Sequence, residues 1–196
     1  MIRLLLEGFH AAWLPSSLLV VVPGLAALLA AQDELRVTLV GFCTAVAFVS
    51  WLRFSHHGAD WPLVAAAVAL VLATLLFLVP TVDGRKIVSS VGGALAGGAA
   101  AELWQPLVGP ELGRLLIDLP NRGWTAPVSL AVYLLGVLTP VIILGLLLRL
   151  APNWLLESAS QVLAYLGGAV LAALAILTAI GLHDWLASHL IQWSTA

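Results

Sequence analysis

Few side chains in this 196-residue chain have the types and spacing to do chemistry. Ser16 and Ser17 lie between Pro15 and Pro23 in a long apolar stretch. Beside a broken helix backbone they offer hydroxyls to a ligand, or to the carbonyls that proline leaves without donors. Glu102 and Gln105 lie three residues apart near the end of another apolar stretch. A carboxylate inside a membrane span is a functional candidate by default. The alternative places Glu102 at the interface beside Trp104, with the helix ending near Pro106. His56, His57 and Asp60 form a compact His-His-x-x-Asp group. Imidazole and carboxylate together suit a transition metal, so these three are candidate metal ligands. The alternative is a solvated loop. His183, Asp184 and His189 repeat that choice near the C-terminus, and His10 has no evident partner. Cys43 is the single cysteine. It excludes an internal disulfide or dithiol and reads first as an apolar packing residue.

The elements that position these residues are membrane helices. Hydrophobic residues make up 62% of the chain and charged residues 9%, against about a quarter charged in a soluble domain. The mean hydropathy is +1.08. Six apolar stretches approach the roughly 20 residues that cross a bilayer, at roughly 9–31, 37–54, 61–80, 87–108, 126–149 and 159–182. The first is expected to be a retained helix, not a cleaved signal. The predicted fold is all-α, a single six-helix transmembrane domain over residues 1–196. Its halves, at about 1–83 and 84–196, are expected to form a three-plus-three inverted repeat. Trp51, Trp61, Trp124, Trp154 and Trp185 fall near the expected span ends, as in an aromatic belt. Residues 111–123 and the tail 183–196 read as amphipathic interfacial helices. In the tail, Trp185, Leu186, His189, Leu190 and Trp193 share helical spacing. Lys and Arg divide evenly between the two sides, so they set no orientation. No basic run suggests nucleic acid. No cofactor motif and no nucleophile–base pair supports an enzyme.

Two of the six stretches are interrupted in matching places. The first carries Pro15, Pro23 and Gly24, and the fourth carries Pro106, Gly109 and Pro110. Matched broken helices point to a site between repeats, so both segments are expected to be interrupted and to approach each other. The fourth stretch also holds the small-residue run 92–101. Within it, Gly93 and Gly97 have the spacing that lets helix backbones approach closely, which makes this helix central.

These motifs resemble the CcdA family of cytochrome c biogenesis proteins, which is also the transmembrane domain of DsbD-type thiol:disulfide interchange proteins. Residues 106–110 resemble the family's Pro-Cys-x-Gly-Pro, and residues 15–24 its first-helix Pro-Cys-x-x-Pro-x-x-Pro-Gly. Gly41, Phe42 and Phe48 match in the second helix. Tyr133, Gly136 and Pro140 match in the fifth, and Gly168 and Gly181 in the sixth. The resemblance implies six helices in two inverted repeats. It also implies a relay of reducing equivalents through one cysteine in each broken helix. Here Leu107 stands at one cysteine position. Ser17 or Ser16 stands at the other, depending on whether residues 15–24 are aligned from Pro23 or from Pro15. Thiol–disulfide exchange requires a thiolate and a disulfide sulfur, so this relay is absent. The expected function is that of a non-redox structural or assembly subunit of a membrane complex. Its partners would be the bilayer and other membrane subunits, in a bacterial or archaeal cytoplasmic membrane. The alternatives are transport of a small solute or metal ion through the broken-helix site, and thiol chemistry through Cys43 with a partner protein.

Overall fold

A computed structural model describes residues 1–31, 34–55, 63–78, 85–104, 110–118, 125–150 and 153–195. Side chains are described for all of these except 54, 55, 63, 85, 110–112, 118, 153–160, 194 and 195. The described residues are helical throughout, with short turns between helices. In chain order the helices are α1 (Ile2–Ala12), α2 (Leu18–Ala30), α3 (Leu35–Ser55), α4 (Leu63–Leu78) and α5 (Arg85–Leu103). They continue with α6 (Pro110–Asp118), α7 (Thr125–Val137), α8 (Thr139–Leu150), α9 (Asn153–Ala179) and α10 (His183–Thr195).

Two helices are by themselves long and apolar enough to cross a membrane, over Leu35–Arg53 and Gln161–Ala179. Two bent pairs qualify if each counts as one span, α1 with α2 and α7 with α8. The chain is therefore an all-helical membrane protein. Helix α4 is apolar but shorter. Helix α5 is built largely from glycine, alanine and serine.

The bends have local causes. Proline disfavours helical backbone in the residue before it. Leu14 accordingly lies extended at φ −78°, ψ 142°, and a short 3-10 turn follows over Pro15–Ser17. The chain turns by 87° between α1 and α2. The expected first span from residue 9 to 31 is thus divided at Trp13 and Leu14. The segment 15–24 is interrupted only at its leading edge. Pro23 and Gly24 lie inside α2, where Gly24 serves close packing. A Cβ there would sit 2.9 Å from the Phe42 ring and from Val141. In the fifth stretch the chain bends by 58° between α7 and α8. Pro140 has no N–H for the carbonyl four residues back, and such sites kink helices.

The tightest crossing joins α3 to α5. A Cβ on Gly93 would collide with the Thr38 carbonyl, and one on Gly97 with the Phe42 carbonyl. On the facing side, a Cβ on Gly41 would collide with the Ser90 carbonyl. Thr38 and Phe42 are four residues apart, as are Gly93 and Gly97, and the numbers rise together. Helices α3 and α5 therefore run parallel. A second glycine crossing joins α1 to α7, where a Cβ on Gly8 would lie 3.2 Å from Gly136 Cα. One end of that pair brings Ser129 Oγ to 3.9 Å from Met1 Sδ. The order Met1 to Gly8 thus follows Ser129 to Gly136, so α1 and α7 also run parallel. Helix α5 packs further against α4 and α2, and α9 against α2 and α4. At the α2–α9 crossing, a Cβ on Gly167 would collide with the Ala26 carbonyl and lie 2.7 Å from Ala30 N.

Helix α9 ends in a left-handed glycine cap. Gly181 has φ +76°. Its N–H donates to Thr178 O at 3.2 Å, and the Leu182 N–H donates to Leu177 O at 3.0 Å. This pair of bonds is the Schellman arrangement, and it redirects the chain into α10. Helix α10 then packs on the Pro15–Ser17 turn. Its inward face is His183, Ala187 and Leu190, while Trp185 and Trp193 stand exposed. The tail is a helix as expected. However, Leu190 faces inward, so the five residues singled out from its sequence do not share one face.

Candidate functional site

At the first interruption, the end of α1 is sealed from within. Leu14 N–H donates to Ala11 O at 3.0 Å, and Trp13 N–H to His10 O at 3.2 Å. The Ser17 hydroxyl donates to the same Ala11 carbonyl at 2.6 Å. Ser16 and Ser17 are both buried. Ser17 thus does the work of a polar side chain re-satisfying freed backbone near a proline.

At the fourth stretch, α5 ends at Leu103 and α6 begins at Pro110. A proline at the first helical position loses no intrahelical bond. Pro106, Gly109 and Gln105 lie outside the described residues. The end of α5 is held by Arg53, from the last turns of α3. Its Nη1 donates to Ala101 O at 3.1 Å, Glu102 O at 3.0 Å and Trp104 O at 2.8 Å. The last carbonyls of a helix have no intrahelical donors and carry its negative partial charge. A guanidinium there meets both needs. The sequence reading of the candidate site missed Arg53. Trp104 beside it is buried, at 1% exposed.

Glu102 is 8% exposed. It lines a pocket between α3, α4 and α5 with a volume of about 130 Å³. The other lining residues are Val49, Ala65, Ala66, Ala69, Ala94, Leu95, Gly98 and Ala99. Among the described lining residues Glu102 is the one ionisable group. The two serines and Glu102 belong to different interruptions: the serines lie under α10, and Glu102 lies at the α3–α5 crossing.

The remaining candidates separate. His56, His57 and Asp60 lie outside the described residues. Among the described residues, no three His, Cys, Asp or Glu side chains gather as metal ligands. His183 Nε2 lies 3.1 Å from Asp184 Oδ1. His189 instead stacks on Trp185 with ring centroids 4.2 Å apart, and its Nδ1 lies 2.8 Å from Trp185 O. Cys43 is half-buried against the core.

Four buried polar atoms have no hydrogen-bond partner among the described residues: Ser50 Oγ, Trp104 Nε1, Tyr133 Oη and His183 Nδ1. Ser50 lies one turn before Arg53, and Trp104 is the residue whose carbonyl Arg53 holds. The end of α5 therefore concentrates polar groups inside an apolar protein. Comparison of the chain with protein-family models, curated proteins and solved structures found no match.

Proposed function

We propose that this chain is a non-redox membrane protein of six spans in two inverted halves, acting as a structural or assembly subunit of a membrane complex. In this reading the spans are α1 with α2, α3, α4, α5, α7 with α8, and α9. Three spans per half is an odd number, so the halves have opposite orientation, as in inverted-repeat transporters. Exchanging the halves sends the parallel α3–α5 crossing onto the parallel α7–α1 crossing, and glycines line both. The same exchange sends the α4–α5 contact onto the contact of α9 with the first span, and leaves α4–α9 and α2–α5 in place. This correspondence supports the repeat and is consistent with the CcdA-like fold. The location that follows from the resemblance is a bacterial or archaeal cytoplasmic membrane.

The observation that carries the functional reading is that backbone carbonyls at the ends of α1 and of α5 already have side-chain donors within the chain. In broken-helix transporters, freed backbone groups bind the cargo. Here Ser17 takes the Ala11 carbonyl, and Arg53 takes three carbonyls at the end of α5. A relay between two cysteines of this chain is excluded by the presence of only one. The breaks then shape a scaffold, and the chain works through its assembled surfaces. The test is native mass spectrometry of tagged protein taken from its own membrane into nanodiscs. A particle heavier than one 20.6 kDa chain by whole further subunits in fixed ratio is expected. A single-chain particle that drives solute uptake in proteoliposomes would overturn the reading.

A further inference from the structure

We propose that helix α1 lies along the membrane surface and docks into the headgroup layer of the bilayer, so that the chain enters the membrane at the Pro15–Ser17 turn. The proposal rests on α9 crossing the bilayer, not on the subunit reading. The level of the turn follows from α9. At Gly167, α9 meets the C-terminal end of α2, since a Cβ there would lie 2.7 Å from Ala30 N. Past Gly181, α10 packs on the Pro15–Ser17 turn at the other end of α2. Helices α2 and α9 therefore run antiparallel. The turn sits level with the end of Gln161–Ala179, a stretch long and apolar enough to cross. That level is the membrane–water interface. There the chain bends by 87° between α1 and α2. Helix α1 is about 16 Å long and at that angle adds only about 1 Å along α2. The crossing is thus made by Pro15–Ala30, a rise of about 24 Å. Local thinning of the bilayer accommodates a span this short.

The side chains of α1 fit a surface helix. Three flanks follow one another around its 3.6-residue turn. Leu4, Gly8, Ala11 and Ala12 are buried in the protein. Ile2, Leu5, Leu6, Phe9 and Trp13 form an exposed apolar flank. Arg3, Glu7 and His10 form the third flank, with Arg3 and His10 exposed. Charged side chains are costly within the hydrocarbon core, and a contiguous apolar flank is unfavourable in water. The interface suits both. Helix α10, on the same turn, has the same three flanks. His183, Ala187 and Leu190 are buried, while Trp185 and Trp193 are exposed with Leu182 just before them. Asp184, Ser188 and Gln192 form its exposed polar flank. Indole rings belong at headgroup level. No Lys or Arg follows Arg149, and α1 carries one arginine against one glutamate. Insertion of apolar and indole groups, not attraction to anionic lipid, therefore seats this end, and zwitterionic headgroups suffice.

The full-length chain with Cys43→Ser and one new cysteine is spin-labelled in phosphatidylcholine bilayers. Power saturation with oxygen and with a water-soluble nickel chelate reads the depth of each label, calibrated by spin-labelled lipids. Ile2→Cys and Trp13→Cys lie on one flank about three turns apart, or about 16 Å along the helix. Val170→Cys marks the middle of the Gln161–Ala179 span and is exposed to lipid. The depths at Ile2 and Trp13 should agree within about 6 Å, the spread of a helix within ~20° of the plane, and both should be shallower than Val170. The chelate should reach His10→Cys more readily than Leu6→Cys. A larger depth difference, or either site as deep as Val170, overturns the proposal. Equal access of the chelate to His10 and Leu6 overturns it as well, and this comparison decides if Trp13→Cys fails to fold. Val170 as shallow as α1 removes the span itself, and the proposal with it.

Discussion

Replacing Arg53 with alanine should destabilise the protein more than removal of any other surface-reaching charge. All three bonds to the end of α5 come from one nitrogen, at 2.8, 3.0 and 3.1 Å. That nitrogen carries two hydrogens, so at most two bonds are full and the third is shared. Hydrogen bonds involving a charged group contribute about 1.5–3 kcal/mol each. Sharing and partial exposure of the side chain reduce the total, and the expected loss is ~2–4 kcal/mol. Loss of the packed aliphatic stem acts in the same direction. Arg53→Lys retains a cation near the helix end without the planar fork, and should fall between parent and alanine. The assay is reversible unfolding in mixed micelles by increasing SDS fraction, followed by tryptophan fluorescence. Neutral interhelical hydrogen bonds in membrane proteins average only ~0.6 kcal/mol. If Arg53→Ala costs no more than that, the guanidinium is not what holds the end of α5. Lysine performing no better than alanine would show that charge is not the operative feature.

Four further substitutions test the packing and the chemistry. Gly97→Leu places a side chain against the Phe42 carbonyl, and overpacking of ~1–3 kcal/mol or more should deplete folded protein from gently solubilised membranes. Ala69→Leu should be milder on the same gel-filtration assay. Its site is a pocket with room for added atoms. Ser17→Ala leaves the buried Ala11 carbonyl with one donor fewer, at a cost of about 1 kcal/mol readable by the same unfolding titration. Cys43→Ser should leave folding and cellular function nearly intact. A disulfide-linked partner trapped through Cys43, lost together with function in the mutant, would instead establish thiol chemistry.

The features legible in the sequence were those with a local cause. Apolar length marked α3 and α9, and the glycine spacing of Gly93 and Gly97 marked a close backbone surface without naming α3 as its partner. The break before Pro15 was legible in kind, because proline acts on the residue before it. Its position was misjudged because Pro23 and Gly24 looked like a second breaker. In α2 that glycine answers to the Phe42 ring, which is a tertiary fact. Arg53 was invisible as a site residue for the same reason. In the chain it is a charge near a span end, and only the parallel crossing of α3 and α5 brings it to the carbonyls of residues 101–104. The tail's periodicity gave the helix but not its buried face, because His183 faces inward only once Gly181 has turned the chain.

The central claim is that the chain crosses the membrane six times in two inverted halves. Sided labelling of single cysteines in a Cys43→Ser background tests it most directly. A membrane-impermeant maleimide is applied to sealed, oriented vesicles, with total labelling measured after permeabilisation. Cysteines at Glu34, Lys86 and Arg149 should react from one side, and those at Arg3, Arg114 and Asp184 from the other. If Arg3 and Glu34 label from the same side, α1 and α2 form a re-entrant hairpin. The first span is then not a span, and the inverted repeat falls with it.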